Sequence, residues 1–185
     1  MAFAVSGQGM SAGEARTHFR DAVAYLRGSD MARSILEELS DLPERVMIKI
    51  GSDIEPKYRH PKADDGIDGG IVEWNPDMSL DVFDSPRERP NAAWVRNKKE
   101  RYGLFWRKSR QIREYGTLSP AIALIHELGH AYQFFGDRDG YRQAMKTVGS
   151  PQEDNVVGGI ETVVITELRQ LGHNEGIRWY YGHTA

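Results

Sequence analysis

His126, Glu127 and His130 stand within the run His-Glu-Leu-Gly-His at 126–130, inside a stretch patterned as a helix. On a helix, positions i and i+4 share a face, so both imidazoles can reach one metal ion. Glu127 leaves the same turn at a different angle, where it can act as a base toward water without ligating the metal. This is the zinc metallopeptidase pattern, and the chemistry it offers is metal-assisted hydrolysis of an amide. Five residues can also match on a solvated helix. Here Leu124, Ile125, Leu128, Ala131, Tyr132 and Phe135 surround the pair. The helix therefore reads as buried, and buried imidazoles and carboxylates need partners.

A catalytic zinc site needs a third protein ligand and an open position. The chain has no cysteine, so that ligand must be a carboxylate or another imidazole. The candidates are Glu153, Asp154, Glu161, Glu167 and the histidines 18, 60, 173 and 183. Glu153 also completes a capping box with Ser150. Glu161 shares a face with Val157, Val164 and Leu168, and Glu167 lies among Val156, Ile160, Val163 and Leu171. Pattern alone leaves Glu153 and Glu161 level, with Glu167 behind.

The elements that must position these groups are legible in outline. Ser119 and Pro120 suit the N-cap and first position of the metal helix, and Gly136 its C-terminal stop. Gly129, between the two histidines, allows either substrate or a packed helix to come close. Residues 12–27 suit a helix with Phe19, Ala22, Val23 and Leu26 on one face, and a second helix runs from about Asp30 to Leu39 after Ser29. Val46, Ile48 and Ile50 alternate with Met47 and Lys49 as a strand. Residues 52–70 read as a loop or irregular hairpin, 71–74 as a strand ended by Asn75-Pro76, and 78–83 as a third. A last helix opens at Ser150-Pro151 and runs to about Leu171, weakened or bent at Gly158-Gly159.

With 185 residues the chain suits a single domain over 11–185, and residues 1–10 read as disordered. Its first residues lack the basic and apolar regions of a Sec signal peptide, and no segment is apolar enough to span a membrane. Residues 86–114 stand apart as a basic insertion, with ten Arg or Lys against three Glu and with Trp94, Tyr102, Phe105 and Trp106 interleaved. A solvated surface over core aromatics, a dock for an acidic protein and a nucleic-acid contact are the readings, in falling order.

The chain also resembles a family. His126 to Ala131, then Glu153 with Val156-Val157-Gly158, Glu161-Thr162, Ile165, Glu167-Leu168 and Arg178…Tyr181 are similar to the NleD-like effector zinc metalloproteases. These are found among bacterial type III effectors and polymorphic toxins. Ser29-Asp30, Ile35 to Leu39, the strand at 46–50 and Glu73-Trp74-Asn75-Pro76 follow in matching order. The family usually has Asn where Thr162 stands and Arg where Ile165 stands. The resemblance implies an α+β, zincin-like fold with helices on a short, mainly antiparallel sheet. It implies one zinc held by His126, His130 and Glu153, with Glu161 as second support or alternate ligand, and Glu127 as the base. Arg178 and Tyr181 resemble the pair that stabilises the oxyanion in clostridial neurotoxin light chains.

The function so implied is a zinc endopeptidase, exported without a Sec signal by a leaderless route such as type III secretion, that acts as a virulence factor in the host cytoplasm. Its partners would be a protein substrate, with a MAP kinase-like signalling protein as one target, and a secretion chaperone. An antibacterial polymorphic toxin with the same chemistry is one alternative. A catalytically silent, zinc-stabilised binding module is the other, and it predicts that the Glu127 carboxylate is dispensable.

Overall fold

The structure, a computed structural model, describes residues 3–61, 68–83, 93–96, 115–147 and 151–178. Strand β1 (Ala4–Gly7) leads to helix α1 (Ala12–Leu26), and α2 (Asp30–Asp41) follows. Ser11 and Glu14 close a capping box at the start of α1: the Ser11 hydroxyl accepts from Glu14 N–H, and Glu14 accepts from Ser11 N–H. Ala15, Phe19, Ala22 and Leu26 form the buried stripe of α1 at helical spacing. Ser29 caps α2 by accepting from Ala32 N–H at 3.0 Å. Strands β2 (Met47–Ile50), β3 (Lys57–Arg59) and β4 (Ile71–Trp74) complete the first sheet, in the order β1-β2-β4-β3.

The sheet departs from expectation in two ways. It is mostly parallel rather than mainly antiparallel: β1 and β4 both run parallel to β2, and only β3 is antiparallel to β4. The physical reason is the pair of helices between β1 and β2, which carries the chain back so that the next strand points the same way. The N-terminal residues, expected to be disordered, form the edge strand β1, with Val5 beside Ile48. Small residues hide that strand from a local pattern, since its partner lies some forty positions onward. The loop expected at 52–70 contains β3. An antiparallel ladder of β5 (Met78–Phe83), β6 (Ala93–Arg96) and β7 (Tyr115–Leu118), in the order β6-β5-β7, forms a second sheet. Apart from 93–96, residues 86–114 lie outside the described residues.

Helix α3 (Pro120–Gly136) lies at the centre of the core. It packs against α1, α2 and β4, and Trp74 at the end of β4 donates its indole N–H to Pro120 O at 2.7 Å. Pro120 opens α3 as expected, but Ser119 caps it by position alone, with no side-chain bond. Gly136 is its last residue, and the extended backbone of Asp137 breaks the helix. The Asp137 carboxylate then accepts from Gly140 N–H at 2.9 Å to start α4 (Arg138–Ala144), a helix not expected from sequence. Beyond it, α5 (Pro151–Val156), a π turn (Val157–Glu161) and α6 (Thr162–Gln170) make the final helical run. The π turn coincides with Gly158-Gly159, where the sequence reading places a weak point. Thr162 supports it, its N–H and its hydroxyl both reaching Val157 O, the latter at 2.7 Å.

Candidate metal centre

One turn of α3 and one turn of α5 build the centre. His126, Glu127 and His130 are 3%, 5% and 4% exposed, so the apolar surroundings read from sequence do bury them. Gly129 answers to packing: a Cβ there would come within 3.1 Å of both Val156 and Ile160. That close approach carries α5 against α3 and delivers Glu153 to the histidines. His126 Nε2 lies 3.2 Å from Glu153 Oε2, His130 Nε2 lies 3.2 Å from the same oxygen, and the two nitrogens are 3.3 Å apart.

This triangle fits a metal ion. Three donors about 2.0–2.1 Å from a tetrahedrally bound ion are separated from one another by about 3.3 Å. The chemistry of the donors points the same way. A neutral imidazole protonated on Nδ1 presents a lone pair at Nε2, and a carboxylate oxygen presents another. Three lone pairs at such distances repel unless a cation lies among them. Without a metal, a proton fills that role. Burial lowers the His126 pKa and Arg178 lowers it further, yet the hydrogen bonds to Glu153 and Glu161 carry it up to about 9. Burial raises the Glu153 carboxyl, and the two imidazoles more than reverse that, holding it below the usual carboxylate range.

Glu161 takes a different place. It is 1% exposed, and its Oε2 lies 3.0 Å from Nδ1 of His126, on the side of the ring away from Glu153. Arg178, also buried, donates from Nε to Glu161 Oε1 at 3.1 Å and from Nη2 to Oε2, and Nη2 lies 3.0 Å from His126 Nδ1. Burial pushes the Glu161 carboxyl up, and the Arg178 guanidinium and His126 bring it below the ordinary range. The π turn makes this possible, because it adds a residue between the two glutamates and lets both face the same imidazole. Glu167, the third carboxylate weighed, serves α2: its Oε2 accepts from the Ser29 hydroxyl at 2.5 Å and from Met31 N–H at 3.1 Å. His60 packs near Phe134 and His173 against Tyr25. Tyr181 and His183 lie outside the described residues.

Glu127 faces away from the triangle's ligand oxygen but remains within its field. Burial raises its pKa, while His126, His130 and a backbone hydrogen bond from Tyr58 of β3 pull it back. Sequence reasoning misses Tyr141. This residue of α4 packs edge-on near His130, with ring centroids 6.2 Å apart, and its hydroxyl makes no hydrogen bond among the described residues. Burial, and then the charges of Glu153 and Glu127, raise its pKa. It also lines a cleft of about 750 Å³ between α2, α3, α4 and α5, with Leu42, Tyr132, Phe135 and Gln152. A helix break followed by a new cap at Asp137 is the only local signal that could have marked it.

Two histidines one turn apart, a carboxylate closing the triangle and a buried glutamate beside them define a metallopeptidase. The chain belongs to the Peptidase M91 family of effector proteins, whose model matches residues 6–156. The matched stretch includes His126, Glu127, His130 and Glu153 and stops short of Glu161, Arg178 and Tyr181. No curated protein and no solved structure matches the chain. As a protease it acts on proteins, and among the described residues no helix is long and apolar enough to cross a membrane.

Proposed function

We propose that the chain is a zinc-dependent endopeptidase, delivered as an effector into a host cell, where it cleaves a signalling protein. The observation that carries the catalytic part is the triangle of His126 Nε2, His130 Nε2 and Glu153 Oε2 on buried, packed helices. Zinc fits the donor set, two imidazoles and one carboxylate in a cysteine-free chain. A zinc ion bound there supplies Lewis-acid polarisation of the scissile carbonyl and a lowered pKa for the attacking water.

The residues of the chain do the rest. Glu127 takes a proton from the attacking water at its carboxylate and passes it to the leaving amine. Glu161 accepts the Nδ1–H of His126, which fixes the tautomer and aims the Nε2 lone pair inward. Arg178 holds Glu161 in place, so in this reading it acts through His126 rather than on the substrate. The oxyanion role expected of the Arg178–Tyr181 pair falls to phenols. Tyr141 lines the cleft beside Glu127 and Glu153, and Tyr181 follows shortly after Arg178 in the chain.

The test is metal content by mass spectrometry for the wild type and for Glu153→Ala and Glu161→Ala, dialysed against a weak chelator. The reading expects one zinc in wild type, its loss in Glu153→Ala, and a weaker but measurable site in Glu161→Ala. Zinc retained in Glu153→Ala and lost in Glu161→Ala would exchange the two roles.

A further inference from the structure

We propose that the groove between β1 and α1 docks an extended acidic segment of a protein partner, which adds as a strand to the open edge of β1. The groove encloses about 710 Å³. Its floor is apolar, with Phe3 and Val5 of β1 facing Phe19 and Val23 of α1, and its rim carries Arg16, Arg20 and Arg27.

The strand side of the groove is set by the ladder. Ala4 N–H donates to Val46 O at 3.0 Å and Gln8 N–H to Ile50 O at 2.7 Å. In a parallel pair, alternate residues bond the neighbour. Ala4, Ser6 and Gln8 therefore turn toward β2, and Val5 turns its N–H and C=O outward. No strand lies beyond β1 in the sheet order. Exposed edges are normally guarded by Lys, Pro or bulges. At the opposite edge, β3 carries Lys57 and Arg59, which pair with Glu73 at 3.1 and 3.3 Å. Edge strand β1, Ala-Val-Ser-Gly, carries no such residue.

The helix side selects the charge. Arg16 and Arg27 form no ion pair among the described residues. Arg20 pairs only with its neighbour Asp21, at 3.2 Å and in full solvent; such a contact is worth little. Arg16 and Arg20 are one helical turn apart, roughly 6 Å along the axis. Alternate side chains of an extended strand repeat at roughly 6.7 Å. Carboxylates at every second position of an added strand can thus meet successive arginines. The occupant comes from outside the chain's own basic segment, because residues 86–114 carry the same sign as the groove. An edge-strand backbone matches a polypeptide, whereas nucleic acid or an anionic membrane would use the arginines alone.

The probe is a fluorescent octapeptide alternating Glu and Val, titrated against the full chain by anisotropy. Saturable binding is expected, with at least a tenfold loss for Arg16→Glu/Arg20→Glu. A similar loss is expected for Val5→Pro, which removes an outward N–H and leaves the ladder to β2 intact. The same peptide N-methylated at alternate residues, which cannot pair on one edge, should bind at least tenfold more weakly to unaltered protein. Three results would each overturn the proposal: no binding of the Glu–Val peptide, equal binding of a Lys–Val peptide, or equal binding of the N-methylated peptide. Tighter binding of a single-stranded oligonucleotide or of phosphatidylserine vesicles than of the peptide would overturn it too.

Discussion

Glu127 is the residue on which hydrolysis turns, and it can be separated from the metal it serves. Glu127→Gln keeps the shape and removes the base. Its zinc content should equal wild type, while cleavage of a protein substrate falls by at least about 10²–10⁴. A mutant with normal zinc and normal turnover would show that another group takes the proton. Tyr141→Phe probes the transition state instead. Loss of one donor to a developing oxyanion costs roughly 10² in rate, so kcat should drop with KM and zinc content nearly unchanged. A rise in KM alone would make Tyr141 a substrate contact. Arg178→Ala should weaken zinc binding by about 10–100-fold through Glu161, read by chelator competition. At this scale the sequence is most informative where geometry is local. His126, Glu127 and His130 lie within one turn, and helical pitch alone brings them together. Glu153 and Glu161 are distinguished by a change of pitch between them, which no side-chain pattern displays. Tyr141 reaches the centre only because Asp137 ends one helix and begins another.

At the scale of elements, the contact of α3 with α5 delivers the third ligand. Gly129 sets its distance, with Val156 and Ile160 already at 3.1 Å from the position a Cβ would take. Gly129→Val should force the helices apart, costing about 1–3 kcal/mol, and should weaken zinc binding because Glu153 moves with α5. Calorimetry and zinc titration together check this: Glu153→Ala loses zinc with little change in metal-free Tm, whereas Gly129→Val should lose both. Helices α1, α2 and α3 are readable because their buried stripes and caps are local. The direction of the strands is not, because it depends on two helices returning the chain between β1 and β2. Edge strand β1 escapes notice for a related reason, since four small residues carry no alternation strong enough to announce a parallel partner.

For the whole molecule, the metal joins segments that otherwise meet only by packing. No cysteine is present to cross-link them. A ligand that binds the folded state alone at a hundredfold excess over Kd stabilises it by about 2.7 kcal/mol. At this chain length that corresponds to a Tm rise of roughly 5–10 °C. Added zinc should raise Tm by such an amount in wild type and leave His130→Ala unmoved. An equal rise in His130→Ala would mean that the stabilising ion binds elsewhere.

The π turn at Val157–Glu161 has a further consequence. It holds one residue more than α pitch would admit over the same rise. Deleting Gly158 would let the run close to uniform pitch and swing all that follows by about 100°. Glu153, upstream, would stay in place, while Glu161 would leave Nδ1 of His126. The support of that imidazole therefore hangs on a length difference of a single residue. In a lineage of such chains, an insertion or deletion across this short stretch would remodel the centre without altering any residue that touches the metal.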